Sequence, residues 1–287
     1  MDPIGELARR LPAPDRRWTQ RAGSDQELAQ GLLVGEVAGV ASHDLSNVRS
    51  NILGLIAKDP DKLFGLSGLP GEFDLDGILE LVGEAAGSAI DPDATGGEVF
   101  IEPAPILDQC NRAGVRLARA AERHETVLIA TGHPVGLGLL YQEIARLLSS
   151  EGVRLLKPAE GKTADTLRPQ ASIRYNGHVG VLTDDFLALH THSPEPMSRM
   201  LDGPRPDLVI GDHGFAGAAI EQGIDTIGIA DINDPALIVA KAQGRTEIVV
   251  VMDDNVEPAA YWPCYQAAAF GFASARSGGS TGSDPTL

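Results

Sequence analysis

DLVIGDHGFAGAAIEQGIDTIGIADINDP, residues 207 to 235, holds two apolar runs that each finish in an acid: Asp212 followed by His213, and Asp231 followed by Asn233 and Asp234. An apolar run with no polar alternation is the signature of a strand covered on both faces. After the first run the chain turns through Gly214 into a helix of small residues. Strand, turn and helix in that order put polar side chains at the carboxyl edge of a parallel sheet, where open α/β folds build their sites.

Working outward, the same grammar repeats from about residue 97. EVFIEP precedes a helix over ILDQCNRAGVRLARAAERH, TVLIATGHP precedes a helix over LLYQEIARLLSSEG, VRLLKP reads as a further strand, and EIVVVMDD closes the series. The expected fold is α/β, a three-layer sandwich with a mostly parallel sheet, over residues 96–272. SIRYNGHVGVLTDDFLAL (172–189) alternates with period two around Asn176-Gly177 and predicts a hairpin insertion. Residues 25–87 show helical spacing in DQELAQGLLVGEVAGVA, LSNVRSNILGLIA and DLDGILELVGEAA, with Ser46 or Asp44 placed to cap the second helix and Asp74 the third. Residues 1–95 therefore read as a helical subdomain or lid with an Arg-rich lead-in before Trp18, and the Gly/Ser-rich residues 273–287 as a disordered tail.

Composition bounds the function classes. With 43% hydrophobic residues among 287, the chain can bury a large core. A net charge of −17 argues against nucleic acid and anionic membranes as partners, since both need a basic surface. Cys110 and Cys264 are too few for a disulfide scaffold and read as reduced, buried thiols. No signal-length or membrane-length apolar run is present, so a cytoplasmic location is expected. A homo-oligomer is compatible with all of this.

Five of the seven histidines fall between residues 133 and 213, in company with the strand-end acids Asp212, Asp231, Asp234, Asp253 and Asp254. His190 and His192 in HTHSPEP lie two apart and share a face if extended. Mixed imidazole and carboxylate donors suit a divalent ion, with Mg²⁺ or Mn²⁺ expected first. The candidate metal ligands are His190, His192, Asp212, Asp231, Asp234 and Asp253. Such an ion polarises a phosphoryl oxygen and lowers the pKa of water from 15.7 towards ~7. The competing reading makes each strand-end acid an ordinary helix cap. In VLIATGHPVGLGLLYQEIA, Thr131, Gly132 and Gly136 would let backbone N–H groups face an anion, with Arg174, Lys157 or Lys162 as supplementary charge. His133, at the centre of that turn, joins His213 and Asp212 as the candidate catalytic set, its role open between phosphate donor, acid and nucleophile.

FDLDGIL (73–79) matches the pattern of haloacid-dehalogenase-type phosphatases, in which the first acid, here Asp74, is the nucleophile. The preceding LFGLSGLPGE is too rich in Gly and Pro for a central strand, and Asp74 reads better as a helix cap.

TGHPVGL, HTHSPEPM, GDHGFAGAAIEQGI, ADINDPAL and MDDNVEPAAY, in this order, resemble a family of actinobacterial proteins known simply as phosphatases. The resemblance runs from about Gly35 to Tyr261 and includes HDLSNVRSN, DPDKLFGL and IDPD in the helical region. The matching positions are Thr131, Gly132, His133, Pro134 and Gly136; His190, His192 and Ser193; Asp212 and His213; Asp231, Asn233 and Asp234; and Asp253, Asp254 and Asn255. His43 departs from the pattern, standing where a small or hydroxyl residue is expected. The resemblance implies hydrolysis of a phosphomonoester of a small metabolite and supplies no nucleophile. Two other readings fit the same residues: a glutamate cyclase-like lyase whose turn would bind a carboxylate, and a non-catalytic metabolite-binding protein.

Overall fold

The computed structural model describes residues 24–164, 170–185 and 187–278. Its centre is an eight-stranded sheet. Strands β3 (Thr126–Ala130), β8 (Leu208–Asp212), β9 (Asp225–Ala230) and β10 (Ile248–Val251) lie side by side in the order β10-β9-β8-β3, all parallel. On the other flank of β3, β4 (Arg154–Leu155) pairs with its beginning and β6 (Val179–Asp184) with its end, both parallel. β5 (Ser172–Asn176) and β7 (Leu187–Ala188) add antiparallel edges to β6.

Period-two geometry explains why the apolar stretches of these strands show no alternation. Val127 and Ile129 of β3, with Leu208 and Ile210 of β8, enter one core, while Leu128, Ala130 and Val209 enter another on the opposite face. The larger core is covered by the long helices Pro103–Glu122 and Trp262–Gly278 and by the N-terminal helices; the smaller by Glu195–Leu201 and His213–Glu221. This is the expected three-layer α/β arrangement.

Four details differ from the sequence reading. EVFIEP does not join the main sheet: Phe100–Ile101 (β2) pairs antiparallel with Gly39–Val40 (β1) in a sheet of its own. The hairpin turning at Gly177-His178, with Gly177 at φ +59°, is no insertion, because β6 continues the parallel sheet against β3. Helices Asp25–Val34, Leu45–Ile56 and Leu75–Ala86 put Leu32, Ile52, Leu55 and Ile78 into the same core as the sheet, where a lid would have its own. The last helix passes residue 273 and ends at Gly278, while residues 279–287 and the lead-in before Trp18 lie outside the described residues. Among the described residues, no helix is long and apolar enough to cross a membrane.

Candidate metal centre

The carboxyl ends of β3, β8, β9 and β10 deliver their polar residues to one place. Asp212 ends β8 and is fully buried. Its carboxylate accepts hydrogen bonds from Thr131 Oγ1 (2.5 Å) and the Gly132 amide (2.7 Å), and Thr131 Oγ1 in turn accepts from the His133 amide (2.9 Å). The turn after β3 is thereby locked to the end of β8. Next in the chain, His213 opens its helix at φ +41°, a conformation that costs a side-chain-bearing residue of order 1–3 kcal/mol and persists where the surroundings over-determine it.

Glycines let the third element close in. A Cβ at Gly214 would stand 2.6 Å from Pro194 N, and one at Gly132 would collide with the Thr191 carbonyl. Because both side chains are absent, residues 190–194 lie directly on the two turns, pinned by Thr191 N–H to the Gly132 carbonyl (3.0 Å). Four imidazoles converge as a result. His133 Nδ1 lies 3.1 Å from His213 Nδ1, His190 Nε2 lies 3.0 Å from His192 Nε2, and the His192 and His213 rings stack with centroids 4.1 Å apart. His213 Nε2 reaches Asp234 Oδ2 at 2.6 Å and Asp254 Oδ2 at 3.5 Å; His133 Nε2 lies 3.7 Å from Asp254 Oδ1.

The cap reading of the strand-end acids separates cleanly here. Asp212 and Asp234 do occupy helix N-cap positions, yet neither side chain makes a capping bond; both turn to the histidines. Asp44 and Asp74, by contrast, cap conventionally, accepting from the amides of Asn47 and Gly77 at 2.9 Å. Asp74 is exposed and follows the helix Pro60–Leu63 with no strand between them, so it has no nucleophile's setting.

Charge in the cluster is unevenly held. Burial, reinforced by neighbouring imidazoles, pulls His133 down to about 3 and His192 to about 4, leaving both neutral with free lone pairs. Burial would lower His213 too, but Asp234, Asp212 and Asp254 outweigh it and hold the ring charged. His213 reciprocates by keeping Asp212 and Asp234 ionised against their burial. Asp254 is raised to about 7 by burial and by the other carboxylates, and Asp231 is pushed well up for the same reasons.

Not every expected residue joins the cluster. Asp253 accepts from the Ser42 amide (2.8 Å) and the Asn255 amide (3.1 Å), so its carboxylate holds backbone; its neighbour Asp254 faces the histidines in its place. Asp231 accepts from the Ile232 amide and sits 3.4 Å from His43 Nε2, at the rim. Thr131 and Gly132, expected to face a phosphate, give their donors to Asp212. Gly136 serves close approach, since a Cβ there would meet the Asp254 carbonyl at 2.9 Å. Arg174 is exposed on the edge strand β5, against Gly161.

Other participants come from the helical region, within DPDKLFGL and HDLSNVRSN. Phe64, buried and left-handed at φ +51°, sets its ring edge-on to His192 (5.5 Å) and His213 (5.3 Å). Asn51 donates to the Asn233 carbonyl and Asn233 to Asn47 Oδ1, both at 2.8 Å, so the helix carrying HDLSNVRSN braces the loop after β9. The buried Tyr141 hydroxyl finds no hydrogen-bond partner among the described residues, and burial followed by the charge of Asp212 pushes its pKa well up.

The donor set fits a divalent cation. Ring nitrogens of His133, His192 and His213 lie within 4.8 Å of one another, as do His213, Asp234 and Asp254 through one atom each. Asp254 Oδ2 is buried without a hydrogen bond, the state expected of an oxygen whose partner is an ion.

The profile of the phosphatase family matches residues 20–268, and the chain belongs to that family. A phosphatase of Streptomyces coelicolor is 34% identical over 245 residues, spanning 83% of this chain and 92% of that protein. No solved structure matches.

Proposed function

We propose that the chain is a cytoplasmic, divalent-metal-dependent phosphomonoesterase acting on a small phosphorylated metabolite. One observation carries the metal dependence: Asp212, Asp234 and Asp254 are buried against the histidines, and no Lys or Arg pairs with any of them among the described residues. A phosphate dianion cannot approach such a site unless a cation is held there. His133, His192, Asp234 and Asp254 would hold it, with His213 joining once the cation displaces one of its protons, a mixture that favours Mn²⁺, Zn²⁺ or Fe²⁺ over Mg²⁺, since Mg²⁺ prefers oxygen donors throughout. When bound, the ion supplies Lewis-acid polarisation of phosphate and a nucleophile at neutral pH.

The chain's own residues supply the rest. Asp212, fixed by Thr131 and Gly132, orients His213 as an outer carboxylate orients a ligating imidazole. His133 and His192 offer neutral lone pairs near pH 7. Phe64 closes the apolar side and limits water beside the rings. The test is phosphate release from sugar and amino-acid phosphates by protein stripped with EDTA and reloaded with Mn²⁺, Zn²⁺ or Mg²⁺. Release restored by metal supports the proposal; none with any ion sinks it.

A further inference from the structure

A cleft of about 930 Å³ opens onto the histidines between residues 60–67 and residues 190–195. His190 and His192 form its inner end, and the two walls meet where Gly65, at φ +80°, packs on Pro194. That volume is of the size that holds a small metabolite. Asp61, Lys62, Thr191, Ser193 and Glu195 are among the polar lining residues, and Lys62 is the sole Lys or Arg of the lining. Lys62 is partly buried and forms no ion pair among the described residues. Its stem has a built seat: Gly54, inside the helix Leu45–Ile56, carries no Cβ, and one there would stand 2.9 Å from Lys62 Cγ. A helix-interior glycine gives up roughly 0.5–1 kcal/mol relative to alanine. Here it lets the lysine stem lie flat against the backbone.

We propose that this cleft is the leaving-group subsite and that Lys62 is its specificity-determining residue, reading a single carboxylate on the alcohol part of the phosphomonoester. The inference rests on the phosphatase reading of the same site. A lysine held by its stem on the lining of a cleft whose other charged groups are Asp61 and Glu195 attracts one anionic group and disfavours several. Thr191 and Ser193 supply hydroxyls beside it for the polar remainder of the leaving group.

The experiment compares two probes that differ by one group: 3-phosphoglycerate, with a carboxylate, and glycerol 3-phosphate, with a hydroxymethyl in its place. Wild type, Lys62→Gln and Lys62→Arg are loaded with Mn²⁺ or Zn²⁺, and kcat and KM are measured for each ester. A charge-assisted contact predicts about a tenfold preference in kcat/KM for 3-phosphoglycerate in wild type. Lys62→Gln should erase it through KM with kcat little changed, and Lys62→Arg should retain most of it. No preference in wild type, or the same preference in Lys62→Gln, overturns the proposal. Calorimetric titration of the same esters separates this from the hydrolytic reading. If neither ester releases phosphate, that reading fails for them. Tighter 3-phosphoglycerate binding that is lost in Lys62→Gln would still uphold the subsite, and equal binding would overturn it.

Discussion

Gly214→Ala offers the sharpest test of how the metal centre is assembled. The added Cβ would lie 2.5 Å from the Ser193 carbonyl carbon and 2.6 Å from Pro194 N, and closer still to the His192 carbonyl. Ordinary contact begins at 3.4 Å, and all three neighbours are backbone, so residues 192–194 must retreat by roughly an ångström. Overpacking of this kind destabilises by about 1–3 kcal/mol. For a domain of this size that lowers Tm by roughly 2–5 °C. The retreat also carries His192 away from His133 and His213, and a misplacement of about 1 Å in a reacting site lowers turnover by about 10²-fold. Gly138→Ala is the matched control: it opens the helix Gly138–Ser150, has nothing within 4 Å of its Cβ, and gains roughly 0.5–1 kcal/mol of helix propensity. Thermal melts and Zn²⁺ titration calorimetry of the two variants decide the matter. Gly214→Ala with wild-type Tm and wild-type zinc affinity would refute the view that bare backbone at 214 positions the 190–194 segment.

Three further outcomes follow from named contacts. Asp254→Asn should weaken Mn²⁺ or Zn²⁺ binding about 10- to 100-fold while stabilising the metal-free protein, because a buried carboxylate whose pKa is pushed to about 7 becomes a neutral amide; unchanged affinity in calorimetry removes Asp254 from the ligand set. Asp74→Ala should lose about 1 kcal/mol of stability with its cap and leave phosphate release intact, whereas abolished turnover in a folded variant would restore Asp74 as nucleophile. Asp207 accepts from both the amide and the hydroxyl of Thr126 at 2.7 Å, contacts that hold its pKa below the ordinary value. A lowered pKa contributes stability that is present above the ordinary 3.8 and lost as pH falls through the folded value. Asp207→Asn should therefore be less stable than wild type in urea at neutral pH, the gap closing in acid; a gap independent of pH contradicts this.

The parallel core was legible because β8, β9 and β10 are uninterrupted apolar runs, a pattern that burial on both faces imposes. His133 and His213 meet for the same reason, since both sit just past the ends of parallel strands; His190 and His192 follow the antiparallel edge strand β7 and close in only because Gly132 and Gly214 carry no side chain. What escaped were contacts set by tertiary packing. EVFIEP carries a strand's composition, but its partner is Gly39–Val40, a pairing that only two residues on each side define. Asp253 and Asp254 are indistinguishable as letters; adjacent residues at a strand end point opposite ways, and the sequence does not say which faces the rings. Phe64, Asn47 and Asn51 lie within DPDKLFGL and HDLSNVRSN, stretches that the resemblance includes, but nothing in those letters says that they reach the strand-end site.

The N-terminal helices share the sheet's core, and this fixes how freely they can move. Swinging them aside would re-expose Ile52, Leu55 and Ile78, each worth roughly 1.5–3 kcal/mol when buried. Together that is about 4.5–9 kcal/mol, a cost that any opening of these helices has to meet. The wall that residues 60–67 give the cleft is thus anchored on the same core as the sheet, and its position is tied to the fold of the whole chain.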